Sequence, residues 1–366
     1  MASEIAELAR SLVQVESINP ELGVAGSGEG EVAQLILAWA ERAGLEAELE
    51  EPAPGRPNVI VTARGRGGGP TLLLNGHMDT VGIAGMAEPF TGRIEGDRLY
   101  GRGSYDMKGA LAACLVACER SARAGLRGDV VVTAVSDEEV ASVGTTAVAA
   151  SRTAQAAIVA EPTEERIGVA HRGFAGFRIV VAGRAAHGSR PDLGIDAIAL
   201  TGPVLVRLHE LDARLRAATG HPLLGPGSMH ASLISGGQEY SSYPASCELI
   251  GERRTIPGER PEGVAAEVTS LLGDADGSWE PLMARDPFEV DPDDPLVEVV
   301  ARHAGGPERI GLPFWTDAAL LQSAGIPTVL YGPIGEGAHA EVEWVDISSL
   351  ERCADVYTAV AAEVCA

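Results

Sequence analysis

Between residues 57 and 170 short β-rich runs alternate with helical patterns, and this alternation limits the fold more than any other feature of the chain. The runs are NVIVTA, TLLLNG, DVVVTAV and AAIVAE. Parallel strands need long crossovers, usually helices, so the pattern predicts βαβ units around a mostly parallel sheet. MKGALAACLVACERSARAGL lies between the second and third runs, with Leu111, Leu115 and Cys118 on one face and Gly125 closing it, and reads as a crossover helix. From about 173 to 284 the order becomes strand FRIVVA, a helix-like stretch from about Asp192, strands SMHASLIS and ASCELIGER, helix PEGVAAEVTSLL and strand WEPLMA. That β-α-β-β-α-β order is ferredoxin-like. Pro203 counts against the first of its helices, because proline removes an intrahelical hydrogen bond. After RDPFEVDPDDP the α/β pattern resumes with strand IPTVLYG and a last helix from about Ser348. That helix has a capping-box spacing, Ser348 to Glu351, and an apolar stripe of Leu350, Ala354, Tyr357, Ala361 and Val364. The expected fold class is therefore α/β: a mostly parallel, mixed-sheet domain of residues 1–172 plus 285–366, with an α+β ferredoxin-like domain inserted at 173–284.

Charge narrows the functions open to such a fold. With 28 basic and 52 acidic residues the net charge is 28 − 52 = −24, which argues against nucleic-acid binding driven by phosphate attraction. No apolar run approaches the roughly 18 residues of a membrane span, and MASEIAELARSLVQVE reads as an amphipathic helix, not a basic secretion signal. The expectation is a cytoplasmic protein with no membrane partner. The cysteines (Cys114, Cys118, Cys247, Cys353, Cys365) are odd in number and lack CxxC spacing, so neither a disulfide framework nor a thiolate zinc site is expected. Neither a Walker loop nor GxGxxG after a strand is present.

Five places in the larger domain deliver residue types that bind metals. TLLLNG leads to His77 and Asp79, DVVVTAVS to Asp137, Glu138 and Glu139, AAIVA to Glu161, and IPTVLYGPIGEGA to His339. Asp106 lies in the glycine-rich YGRGSYDMKG ahead of the crossover helix. In an open α/β sheet the carboxyl ends of the strands share one crevice, where such residues can converge. Two imidazoles and several carboxylates suit zinc, cobalt or manganese. A carboxylate bridging two metals about 3.5–4 Å apart would make a centre that polarises a carbonyl and yields hydroxide near neutral pH. Taken singly, Asp106 also fits a helix cap, Glu138 and Glu139 a solvated turn, and His77 or His339 a core histidine. Those readings would all have to hold around one sheet at once.

The strings LLLNGHMDTV, LYGRGSYDMKGALAA, VSDEEVASVGT, AEPT and GAHAEVEW occur in this order and resemble the co-catalytic zinc deacylases and exopeptidases. That family includes acetylornithine deacetylase, succinyl-diaminopimelate desuccinylase, aminoacylase and carboxypeptidase G. The likeness extends through AAHGSRPDLGIDAI and ERRTIPGE of the inserted domain. It implies that His77 and Glu161 hold one metal, Glu139 and His339 the other, and that Asp106 bridges them. Asp79 is implied as the carboxylate behind His77, a role physics supports, since a metal-bound histidine gives its other N–H to such a group. Glu138 is implied as the general base that takes a proton from the attacking water and delivers it to the leaving amine.

In the inserted domain, a lid and dimerisation module by the same resemblance, His187 is implied to reach across a homodimer and stabilise the oxyanion. Arg254 is implied to grip the substrate carboxylate. Arg253 should face the other way if both lie on a strand. Ser241-Ser242-Tyr243 precedes Pro244 where many relatives carry asparagine, so Ser241 is a candidate replacement donor. Val140 follows the glutamate pair where glycine is common, which bears on loop shape. The implied reaction is removal of a short N-acyl group from a small-molecule amino acid by two divalent metals, zinc first and cobalt or manganese as alternatives. The likeness is greatest to the acetylornithine deacetylase branch, with arginine biosynthesis as the implied setting. Dipeptidase, carboxypeptidase or desuccinylase chemistry is the alternative on the same centre, and a non-catalytic ligand-binding member is the alternative from another class.

Overall fold

A computed structural model describes residues 3–23, 25–83 and 85–366. The chain separates into two compact units, Met1–Val169 with Val290–Ile310 and Thr316–Ala366, and Ala170–Glu289 with Gly311–Trp315. Met1 and Ala2 of the expected opening helix lie outside the described residues. The remainder forms helix Glu4–Gln14, capped by the Ser3 hydroxyl and burying Ile5, Leu8, Ala9, Leu12 and Val13. Among the described residues no helix is long and apolar enough to cross a membrane.

The sheet of the first unit is mixed. Its order runs Glu46–Ala53, Arg56–Ala63, Val130–Val135, Leu72–His77, Ala156–Val159, Thr328–Leu330 and Ile167–His171. The four strands from Val130–Val135 to Thr328–Leu330 are parallel, and antiparallel pairings flank them. These four strands are buried along their whole length, the physical reason their sequences are continuous apolar runs rather than alternating ones. From Leu72–His77 the chain crosses to Val130–Val135 on one side and then to Ala156–Val159 on the other, so the order reverses at the His77 strand. Such a reversal opens a crevice at the carboxyl ends of the strands.

The crossover helix spans Gly109–Ala124, and Gly125 (φ 64°) ends it in the left-handed conformation glycine tolerates. It is buried nearly all round instead of on one face, because it packs against the sheet, helix Glu4–Gln14 and helix Ile347–Val364. All five cysteines are free and buried. The capping box expected on the last helix does not form. The helix starts at Ile347 with Asp346 in the cap position, and the Ser348 hydroxyl donates to Asp97 instead. Its stripe packs inward: Leu350, Ala354, Tyr357 and Ala361 are fully buried, and Val364 partly. A small antiparallel sheet, unannounced by any apolar run, joins Arg93–Glu95, Arg98–Tyr100, Trp344–Asp346 and Gly335–Glu336.

The second unit has the ferredoxin-like order Ser228–Gly236, Ser246–Thr255, Gly173–Ala182, Gly277–Arg285, all antiparallel. Inward residues of its strands (Phe177, Ile179, Val181, Leu249) meet Val204, Leu208 and Leu211 of helix Ala197–Ala217 and Val264, Val268 and Leu271 of helix Pro261–Leu272. The first helix continues through Pro203. Pro203 and Ala199 are both exposed, so water can satisfy the Ala199 carbonyl that lacks its helical donor. The unit extends a few residues past the expected 173–284, because Phe288 pairs with and stacks on His171, and Trp315 packs edge-on against His171 and Phe174.

Candidate metal centre

His77 is the last residue of its strand. Its Nδ1 lies 2.8 Å from the Asp79 main-chain carbonyl. A carbonyl only accepts, so Nδ1 carries a proton, and Nε2, which faces Asp106 across the crevice, is the nitrogen left to bind a metal once it gives up its own proton. This differs in one detail from the expected carboxylate contact, for Asp79 Oδ1 stands 3.6 Å from Nδ1. The Asp79 carboxylate instead accepts from the backbone N–H of Glu138 (3.1 Å) and Glu139 (3.2 Å) and from Asn19 Nδ2 (2.7 Å). It thereby fixes the loop bearing both glutamates.

His77 Nε2 is 3.1 Å from Asp106 Oδ1 and 3.9 Å from Glu161 Oε1. His339 Nε2 is 3.4 Å from Asp106 Oδ2 and 3.2 Å from Glu139 Oε2. Asp106 thus presents one oxygen to each imidazole. Among the described residues two groups have ligand atoms close enough to hold an ion, His77 with Glu138 and Glu161, and His77 with Asp106 and Glu139. Glu161 reaches this point through a close backbone approach: a Cβ on Gly332 would lie 2.1 Å from the Glu161 carbonyl oxygen, so that position admits only glycine. His339 sits at φ 62°, a left-handed backbone that few non-glycine residues adopt.

Burial and mutual repulsion push these groups away from their ordinary ionisation. Glu138 is held well above the carboxylate range by burial and then by the charge of Glu161. Glu161 is raised likewise by burial and by Asp106, and Glu139 is raised by burial against the opposing pull of His339. Burial also favours the neutral form of Asp106, but hydrogen bonds from His339 and His77 outweigh it and lower its pKa. His339 is pushed up to about 10 by hydrogen bonds to Asp106 and Glu139. Without a cation, the cluster stays together only by retaining protons.

The donor set fits two divalent cations. Oxygens and imidazole nitrogens converge, none can donate once deprotonated, and Glu139 Oε1 is buried without a hydrogen-bond partner. A buried acceptor left unpaired is costly, and a cation would satisfy it.

The second unit carries the other sequence candidates. His187 is exposed, and its Nδ1 accepts the Ser189 N–H (3.2 Å) and contacts Ser189 Oγ (2.8 Å). The neutral ring therefore carries its proton on Nε2, as a donor. Ser241, also exposed, gives its carbonyl to the Gly188 N–H at 2.7 Å. Arg253 is buried and bound to Glu259 and Glu267, whereas Arg254 points to the other face, over Phe174 and beside Glu252. The structure brings His77, Asp79, Asp106, Glu138, Glu139, Glu161 and His339 together in the first unit, while His187, Ser241 and Arg254 belong to the second.

Sequence reasoning missed the groups behind the cluster. Asn19 also donates to Asp137 Oδ1 (2.9 Å), and Arg56 bridges Asn19, Asp137 and Glu29. Asp137 therefore serves this network. Asp317 is buried, accepts from Thr145 Oγ1 at 2.6 Å and is pushed up to about 6 by burial. Thr316-Asp317 before an apolar run reads as an ordinary helix start, so no sequence signal separated it from a cap. Glu343 stands four residues past His339, inside a motif already singled out.

The model of peptidase family M20/M25/M40 matches residues 73–363. The acetylornithine deacetylase of Photorhabdus laumondii subsp. laumondii is 30% identical over 362 residues, 93% of this chain and 92% of that protein. Among solved structures, aminopeptidase PepT from Bacillus cereus ATCC 10987 superposes with TM-score 0.80 at 21% identity, covering 98% of each chain. A dinuclear metal binding peptidase of the M20 family from Bacillus subtilis gives TM-score 0.76 at 18% identity, over 99% of this chain and 97% of that one. The chain belongs to peptidase family M20/M25/M40 and is a metal-dependent hydrolase of amide bonds.

Proposed function

We propose that the enzyme removes a short acyl group, acetyl first among them, from the α-nitrogen of an amino acid, in the manner of an acetylornithine deacetylase. The observation that carries the metal-dependent part of this reading is Asp106 facing both imidazoles, at 3.1 and 3.4 Å, with the buried carboxylates of Glu139 and Glu161 beside it and His339 half-exposed at its edge; the likeness to acetylornithine deacetylases supports the substrate. In this reading His77 and Glu161 would hold one metal and Glu139 and His339 the other, with Asp106 available to both; zinc would be the first candidate for each site, with cobalt or manganese as substitutes. When bound, the cations polarise the amide carbonyl and make water acidic enough to attack near neutral pH.

The chain's own residues do the rest. Glu138, held by the Asp79 carboxylate through its backbone N–H, takes the proton from the attacking water and passes it to the leaving nitrogen, so the amine departs neutral. Burial favours its protonated form, which helps the second half of that transfer. His187, with its proton on Nε2, supplies a donor to the oxyanion of a partner subunit. Ser241 is a lesser candidate for the same oxyanion. Arg254 takes the substrate carboxylate, where a guanidinium makes a bidentate contact. A homodimer suits the exposed edge strand Ser228–Gly236, which presents Leu233 and Ile234 to solvent, a surface chains normally cover. The reading is of a cytoplasmic enzyme.

The test is turnover of a panel by chelator-stripped protein with and without zinc or cobalt. N-acetylornithine should give the highest kcat/KM among N-acetylornithine, N-succinyl-diaminopimelate, other N-acetyl amino acids and dipeptides. Preference for dipeptides or the succinyl substrate would keep the centre and overturn the substrate. No turnover with any metal would favour the non-catalytic alternative.

A further inference from the structure

Two of the loops that carry ligands are tied together by one buried ion pair. Glu343 is fully buried, and its Oε1 accepts the backbone N–H of Tyr105 (2.9 Å) and of Asp106 (3.1 Å). Its Oε2 accepts the N–H of Gly103 (3.1 Å) and Arg102 Nη1 (2.6 Å). Arg102, equally buried, spends its other donors on the Gly82 carbonyl (3.0 Å) and on the Ala340 carbonyl (2.9 Å), next to His339. The small sheet adds a rail beside this pair, with Trp344 opposite Tyr100 and the Gly101 N–H on the Glu343 carbonyl at 3.2 Å.

We propose that Arg102 and Glu343 are positioning residues which hold the Asp106 turn against the His339 loop, and so set the geometry of the metal pair. The proposal rests on the two-metal reading above. Neither residue points a side-chain atom at the ligand cluster; both act through Asp106 and His339. A loop with three backbone donors needs an acceptor-only partner, and ionised glutamate is one. Glutamine cannot replace it, because whichever end its NH2 group takes then faces two donors. An isosteric change should therefore loosen the turn without opening a cavity.

The experiment compares Glu343→Gln and Arg102→Lys with the unchanged chain, using three readouts. Amide hydrogen exchange on metal-free protein should show lost protection confined to residues 101–108 and 335–343, with the remaining strands unchanged. Competition with a chromophoric chelator should show one zinc weakened about 10–100-fold, the usual range for losing a partner behind a ligand. The absorption of the cobalt-loaded variant at saturating metal should shift, which a general loss of stability would not produce. Arg102→Lys retains the charge but loses the fork and should fall between the two. If Glu343→Gln fails to fold, Arg102→Lys decides by the same readouts. Variants with unaltered zinc affinities and cobalt spectrum would overturn the proposal, as would exchange spreading evenly across the unit. Should the unchanged chain bind no metal, the function proposed above fails, and the exchange pattern alone decides whether the pair pins the two loops.

Discussion

The two units offer their candidate groups in contrasting ways. In the first, every group of the cluster arrives from the end of a buried parallel strand or from a loop braced behind it, and even the backbone of Glu138 and Glu139 is held by Asp79. In the second, His187 and Ser241 sit exposed on loops, and Arg254 lies half-exposed on a strand, held only by neighbours. A cluster of like charges that is buried apart from the half-exposed His339 has to be over-determined to persist, whereas a donor or guanidinium at the surface keeps its freedom to meet a ligand. On the proposed reading, the first unit would hold the metals and move the proton, and the second would supply the oxyanion donor and the grip on the substrate carboxylate.

That division can be broken by experiment. His187→Ala should lower kcat about 10²–10³-fold, the range for losing one oxyanion donor, with metal content unchanged. Mixing it with inactive Glu138→Gln subunits should restore part of the activity if the donor comes from a partner. No restoration would mean that each subunit is self-sufficient. A smaller effect is expected for Arg254→Met, which should raise KM about 10–100-fold for substrates with a free carboxylate. It should do little to their amide analogues; an equal loss on both would remove Arg254 from carboxylate recognition. The gentlest probe is pH. His339 is raised to about 10 in the metal-free protein, so between pH 6 and 9 it carries a proton that a cation must displace. Metal affinity should therefore rise with pH, about tenfold per unit for each proton released. Calorimetry in buffers of differing ionisation enthalpy counts those protons, and binding that neither releases protons nor varies with pH would contradict the electrostatics described.

The sequence made the chemistry legible where one residue type performs one task in a predictable place. Strand ends led to His77 and Glu161, and the loop after DVVVTAV led to Glu138 and Glu139. The ferredoxin-like order could be read from the succession of strand-like and helix-like stretches, and its two central strands alternate buried with less buried residues. What stayed hidden depended on contacts distant in sequence. Ser348 and Glu351 have capping-box spacing, yet Asp97, 251 residues away, takes the serine. Asn19 and Arg56 show no motif, and their task appears only when the fold brings them behind Asp79 and Asp137. The crossover helix was expected to bury one face, and the two helices packed on its other sides bury the rest.

The central claim is that Glu138 moves the proton while its neighbours hold the metals. Metal stoichiometry and turnover of Glu138→Gln, measured on one preparation against the unchanged chain, test it most directly. The account predicts two divalent ions per chain in both proteins and a loss of turnover of about 10²–10⁴-fold in the variant. A variant with two ions and a near-normal rate would contradict it.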